Sequence, residues 1–238
     1  MNAHPGSLTR PTEWQFLRTR PLRYVAYRLG RLSMRRSILD VGAGGGEVAA
    51  EIASRTGRRV IALDPVPPNP APDDVIPLRG DAHALPFADG SFDAVCFHFV
   101  LMWLHDPVEA LKEAGRVLGE EGVVMILSEP DLTVREDDPD TGLGRLLSRV
   151  VAEAGGHPDA GSRLSGWCEE AGLRPDLRES HDGWMPLDCW EEIAEEIRFL
   201  KLRGILGEED AASLEAEEHR VYAERRVRMP ITYGCAWR

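Results

Sequence analysis

The sequence predicts an α/β fold: a seven-stranded, mostly parallel sheet with helices on both faces, N-terminal helices ahead of it and a helical cap inserted before the last strand. Three observations lead there. Strand-like and helix-like runs alternate along the 238 residues, the pattern of parallel strands joined by helical crossovers. At ILDVGAGGGEVAAEIA (38–53) an apolar run turns through glycines into helical periodicity. A composition 43% hydrophobic and 29% charged fits one substantial core with an appended piece.

The elements follow in order. Thr12 and Gln15 have capping-box spacing, and Pro21 is placed to open a second helix that ends near Gly30, so two short helices precede the sheet. SILDV is the first strand, EVAAEIASRT the helix after the glycines and RRVIALD the second strand. DPVPPNPAPDD then places five prolines where such folds put a helix; proline lacks the N–H and clashes with the preceding turn, so an extended crossing is expected. VIPLRGD, FDAVCFHF and GVVMILSE are strands three to five, with PVEALKEAGRVL a helix before the fifth. SRLSGWCEEAG reads as helix, RPDLRES as extended and RMPITYGCAW as the last strand. The segment from Trp184 to Arg226 has the pattern of two or three helices. The expected organisation is therefore N-terminal helices over 1–36, core over 37–183, cap over 184–226 and final core strand over 227–238.

Composition removes several function classes. MNAHPGSLTR has no apolar signal core, and no stretch approaches the roughly 18 apolar residues of a membrane span, so a soluble, cytoplasmic protein is expected, without membrane insertion. Cys96, Cys168, Cys189 and Cys235 lack metal-ligand spacing, which argues against zinc or a disulfide framework. The net charge of −12 repels a phosphate backbone over most of the surface. RTRPLRYVAYRLGRLSMRR interleaves its arginines with apolar residues at helical spacing, the look of an amphipathic helix with a solvated basic face; Arg18, Arg20 or Arg23 would suit an anionic small substrate better than nucleic acid.

A glycine-rich strand-to-helix turn lets a backbone approach a ligand closely at a helix N-terminus. The dinucleotide pattern G-x-G-x-x-G fails, because Gly42 and Gly44 are followed by Glu47 where the third glycine belongs; a nicotinamide oxidoreductase is the alternative this opposes. The pattern present is D-x-G-x-G-x-G, with Asp40, Gly42, Gly44 and Gly46. It resembles motif I of the class I S-adenosylmethionine-dependent methyltransferases, which have a Rossmann-like fold. Asp64 ends the second strand about 20 residues on, where a carboxylate can accept ribose hydroxyls. GDAHALPFADGSFDAV, CFHFVLMWLHDP and RVLGEEG are similar to further signatures of that family, and SEPD and GGHPDAGSRLSGWCEEAGL look like its ubiquinone- and menaquinone-biosynthesis branch. The resemblance implies Asp81 and Ala82 at the adenine, completes a cofactor set of Asp40, Gly42, Gly44, Gly46, Asp64, Asp81, Ala82 and Phe97, and implies S-adenosyl-L-methionine as the cofactor.

Methyl transfer depends mainly on holding the nucleophile near the methyl group. The N/D/S-P-P-Y/F signature of planar-nitrogen methylation is absent, with CFHF in its place. His98, at the C-terminal end of the fourth strand, is a candidate base for a phenol, enol or hydroxyl, and equally a histidine of the pocket floor. Glu129, ending the fifth strand, is a second candidate base or a loop salt bridge. His83 and His105 read as structural. Tyr24 and Tyr27, one turn apart, could face a sulfonium or simply pack; Trp103, Trp184 and Trp190 could line an apolar substrate pocket beneath the cap. The reading is a methyltransferase acting on oxygen, carbon or an amine of a small or lipid-like acceptor, as monomer or homodimer and with no metal. A protein or RNA methyltransferase and a non-catalytic S-adenosylmethionine-binding module are the alternatives.

Overall fold

The computed structural model of the chain describes residues 13–180, 185–186 and 190–238. Thr12, half of the expected capping box, and Trp184 lie outside them. Two helices, α1 (Glu13–Arg18) and α2 (Arg20–Leu29), lead to β1 (Ile38–Val41), α3 (Glu47–Thr56), β2 (Val60–Asp64) and β3 (Val75–Arg79). β4 (Phe92–His98), α4 (Pro107–Val117) and β5 (Leu118–Pro130) follow. Then come β6 (Glu136–Asp138), α5 (Leu143–Glu153), α6 (Ala160–Glu170), β7 (Arg174–Ser180), β8 (Met185–Pro186), α7 (Trp190–Leu202), α8 (Glu208–Val221), β9 (Arg226–Arg228) and β10 (Ile231–Trp237).

The main sheet has seven strands in the order β3-β2-β1-β4-β5-β10-β7. From β3 through β5 all pairs are parallel, and β10 runs antiparallel to both its neighbours. The order reverses beside β1, between β2 and β4, where open α/β sheets bind ligands at the carboxyl ends of the strands. Burial on both faces explains the near-continuous apolar strands: one face packs against α2 and α3 through Ile38, Ala94, Cys96 and Met125, the other against α4 and α6 through Leu39, Val95, Phe97 and Ile126. No helix joins β2 to β3, as the prolines require. GEEG forms the outer end of β5, where the register with β4 shifts.

A second, three-stranded sheet, β6-β9-β8, and helix α5 were not anticipated, and the last core strand begins at Ile231, with Arg226–Arg228 in the small sheet. Around that sheet α5, α7 and α8 share a third apolar cluster that includes Leu143, Ile193, Ile197, Leu214 and Val227. Charge is buried beside it. The Arg225 guanidinium donates to Glu218 (Nε–Oε2 2.9 Å), lies 3.2 Å from Asp137, and donates to the Pro139 carbonyl at 3.0 Å. Asp137 also meets Arg135, whose other nitrogens reach Glu196 of α7 at 3.1 Å. No helix among the described residues is long and apolar enough to cross a membrane.

Candidate active site

The glycine turn is held from both sides. The N–H groups of Gly42 and Ala43 donate to the Leu63 carbonyl at 2.8 and 3.2 Å, and that of Gly44 donates to Asp64 Oδ2 at 3.0 Å. Gly42, Gly44 and Gly46 have φ of 69°, 53° and 85°, the left-handed region that costs other residues energy. At Gly42 the constraint is double, because a Cβ would stand 2.5 Å from a Val100 methyl carbon. The residue before α3 is Gly46, which has no side chain to cap it, and the Asp40 carboxyl takes up the Ala49 N–H of the first turn, so the helix start faces this acidic turn.

Acidic groups gather at this turn. Asp40 is fully enclosed and its Oδ2 has no hydrogen-bond partner among the described residues. Burial, then the charges of Asp64 and Glu47, push its carboxyl up to about 8. Burial also raises Asp64, against the N–H groups of Val66 and Gly44 that bond its two oxygens. Asp81 differs: burial would raise it, but the main-chain N–H and ring of His83 hold it below the usual carboxylate range. Ala82 is buried beside it. Phe97 departs from its expected place, since its side chain lies wholly within the core on the α4 and α6 face.

Beyond β4 the chain turns sharply. Phe99 has φ 55°, unusual for a bulky residue and concentrated where structure over-determines the backbone; no pattern in the sequence marked it. Both oxygens of buried Glu129 are committed there, accepting from Val100 (2.7 Å), Leu101 (2.9 Å) and Met102 (3.3 Å) N–H groups. Burial raises its carboxyl to about 7 against those three bonds. Instead of the free carboxylate or salt bridge expected, Glu129 caps the turn that follows β4. His98 is 5% exposed; its Nε2 lies 3.0 Å from Thr19 Oγ1, and its Nδ1 has no partner among the described residues. Burial and nearby Arg23 lower it to about 3.

The aromatic and basic candidates divide. Tyr24 carries the Arg55 guanidinium 3.6 Å from its ring centre, and buried Tyr27 donates its hydroxyl to Glu51 at 2.9 Å. Both rings thus serve the contact of α2 with α3. Arg23, fully buried, is also bound to Glu51, Arg20 donates to the Tyr24 hydroxyl, and Arg18 pairs with Glu192 of α7 at 3.7 Å. Arg18 and Arg23 therefore tie the N-terminal helices to α7 and α3, while Arg28, Arg31 and Arg36 of the same stretch stay exposed. Trp103, on the turn after β4, packs edge-on against Phe199 of α7 with ring centres 5.7 Å apart, so it links that turn to α7. Trp190 stacks on His219 instead.

An open sheet with a glycine turn and acidic groups at its switch point has the architecture of the nucleotide-binding α/β proteins. Residues 39–126 match the methyltransferase domain family. Over 172 residues the chain is 34% identical to the demethylmenaquinone methyltransferase of Thermobifida fusca, spanning 66% of this chain and 71% of that one. It is 28% identical over 223 residues to the malonyl-[acyl-carrier protein] O-methyltransferase of Halorhodospira halophila, spanning 85% and 74%. Similar folds include the Haemonchus contortus phosphoethanolamine N-methyltransferase 2, in complex with phosphomonomethylethanolamine and S-adenosylhomocysteine (TM-score 0.58, 16% identity, 92% of this chain and 52% of that one). The [4+2]-cyclase SpnF is another (TM-score 0.54, 16% identity, 94% and 83%). The chain belongs to the S-adenosylmethionine-dependent methyltransferases. It is an enzyme of that family, with S-adenosylmethionine as its cofactor.

The site suits that cofactor on its own terms: the unpartnered Asp40 oxygen favours a cation, and Glu47 and Asp64 deepen the negative potential.

Proposed function

We propose that this enzyme methylates an apolar, ring-bearing small molecule of the hydroquinone type, at a ring carbon or oxygen activated by a neighbouring O–H. Asp40, Gly42, Gly44, Gly46, Asp64, Asp81 and Ala82 would hold the cofactor. When bound, S-adenosylmethionine supplies an electrophilic methyl group on a positively charged sulfur. Asp64 would orient the ribose, its two oxygens already aligned by Gly44 and Val66 N–H groups. Asp64→Ala is expected to weaken S-adenosylmethionine binding by about 1.5–3 kcal/mol, read by calorimetric titration; unchanged affinity would remove Asp64 from the cofactor set.

The observation that carries the acceptor class is the His98 ring, neutral and enclosed at the end of β4, with Trp103 and Phe199 bridging the adjoining turn to α7. A neutral ring nitrogen accepts a hydrogen bond from an acceptor O–H and increases the electron density that the oxygen and its ring release toward the methyl group. Its low basicity makes it a hydrogen-bond acceptor in preference to the full proton store considered from sequence. The name of the Thermobifida relative supports a quinol, an apolar ring with such a hydroxyl. The malonyl-[acyl-carrier protein] relative suggests a carboxylate instead; the internal pairing of Arg18, Arg20 and Arg23 argues against that use. We place the enzyme in the cytoplasm, as monomer or homodimer.

The test incubates the protein with methyl-labelled S-adenosylmethionine and either a prenylated 1,4-naphthohydroquinone or a malonyl thioester. Labelled naphthohydroquinone is expected; label on the malonyl carboxylate alone would replace this reading. His98→Ala should lower kcat about 10²-fold. Because His98 titrates near 3, wild-type kcat at saturating substrates should show no loss from this ring between pH 8 and 5. An acid limb near pH 6.5 that vanishes in His98→Ala would show an ordinary histidine base.

A further inference from the structure

Thr19 sits at the break between α1 and α2, the position before the first residue of a helix, where a threonine hydroxyl ordinarily accepts from a main-chain N–H of the first turn. Here it makes no such bond. Its side chain is buried, and Oγ1 has three other partners: the Gln15 carbonyl at 2.5 Å, Arg23 Nη1 at 2.8 Å and His98 Nε2 at 3.0 Å.

A hydroxyl has one proton to donate and two lone pairs to accept with. The Gln15 carbonyl can only accept, so the proton goes there. Arg23 can only donate, and it cannot turn away, because Nε and Nη2 hold the two oxygens of Glu51 while Nη1 also donates to the Phe16 carbonyl. One lone pair remains for the histidine, whose Nε2 must therefore carry the hydrogen. A neutral imidazole has only one such hydrogen. Nδ1 is left with its lone pair, and this is the buried nitrogen that has no partner among the described residues.

We infer that Thr19 is a positioning residue that locks His98 in the Nε2–H tautomer, so that Nδ1 is presented to the acceptor O–H as a lone pair. The role in turnover rests on the proposed contact of His98 with the acceptor, while the tautomer does not. Arg23 and Glu51 act one step further back. They fix the hydroxyl that fixes the ring, and the guanidinium charge adds to burial in keeping the ring neutral. The basic N-terminal helix thereby serves the site through one hydrogen bond, without contacting substrate.

Two readouts on the full-length protein separate the parts. Nitrogen-15 spectra of the histidine rings, with S-adenosylmethionine but no acceptor, should show His98 protonated at Nε2 and bare at Nδ1. Thr19→Val should mix the tautomers, and Thr19→Ser should restore the wild-type spectrum. A wild-type ring protonated at Nδ1 would overturn the inference. With the naphthohydroquinone, Thr19→Val should lower kcat about tenfold while S-adenosylmethionine affinity, which also reports folding, stays within about twofold. Thr19→Ser should recover turnover, and Thr19→Val should add nothing in a His98→Ala background. Equal losses from Thr19→Val with and without His98 would overturn the positioning role. Full turnover by His98→Ala would overturn the acceptor contact and leave the spectral result to decide the tautomer by itself.

Discussion

Arg225→Ala is expected to destabilise the protein by about 3–5 kcal/mol, the range for removing one partner of a buried ion pair. Arg225 and Glu218 are both essentially inaccessible, and Asp137 is nearly so. Alanine would leave Glu218 in a low-dielectric interior without its cation, Asp137 with Arg135 alone, and the Pro139 carbonyl without its donor. The network joins β6, α7, α8 and the residue just before β9, so the loss falls on the elements around α7, which meets the turn after β4 through Phe199 and Trp103. At about 2–4 °C per kcal/mol for a chain of this size, the melting temperature should fall by about 6–20 °C. Charge itself is not the stabilising ingredient: an apolar pair such as Arg225→Met with Glu218→Leu should recover much of the loss, because both desolvation costs go together. Thermal melts of the two single variants and the double variant decide this. A double variant clearly less stable than wild type would mean that the ion pair contributes net stability over its apolar replacement, and losses that simply add would mean that the two groups are not coupled.

The contrast between that network and the glycine turn explains how far the sequence could be read. Gly42, Gly44 and Gly46 are set by local conformation, and Asp40 and Asp64 by their places at strand ends, so spacing alone locates them. The proline run before β3 is equally local. β6 and β9, by contrast, are three-residue strands of charged sequence, EDD and RVR, with no alternation for a reader to detect; they pair through Asp138 with Arg226 and Glu136 with Arg228. Tyr24 and Tyr27 show why a face is harder to read than a helix: their spacing is the same whether they meet a ligand or α3. His98 and Glu129 were found as residues at strand ends, but their roles depend on Thr19, 79 positions away, and on N–H groups 27–29 positions away. Arg23 was read as a substrate cation because Glu51, its partner 28 residues on, belongs to another helix.

Asp40 turns the acidity of the site into a measurable pH dependence. Its carboxyl is raised to about 8 by burial and by Asp64 and Glu47, so in the ligand-free protein it is mostly protonated at pH 7. For a carboxyl raised on folding, the stability contribution is complete below about pH 4 and is lost as pH climbs toward 8. A bound cation reverses the preference, favouring the ionised form. Binding of S-adenosylmethionine should then expel up to one proton, and affinity should rise about tenfold per pH unit, on the order of 100-fold between pH 5.5 and 7.5. Above about pH 8 the gain should stop, because Asp40 is already ionised and the α-amino group of the ligand begins to lose its own proton. Asp40→Asn should abolish the slope, bind S-adenosylmethionine weakly throughout, and melt higher than wild type at pH 8 without ligand. Calorimetric titrations in buffers of different ionisation enthalpy count the proton directly. An affinity flat from pH 5.5 to 7.5 would mean that Asp40 stays in one protonation state throughout, and the electrostatic account of this acidic turn would then have to rest on Asp64 and Glu47.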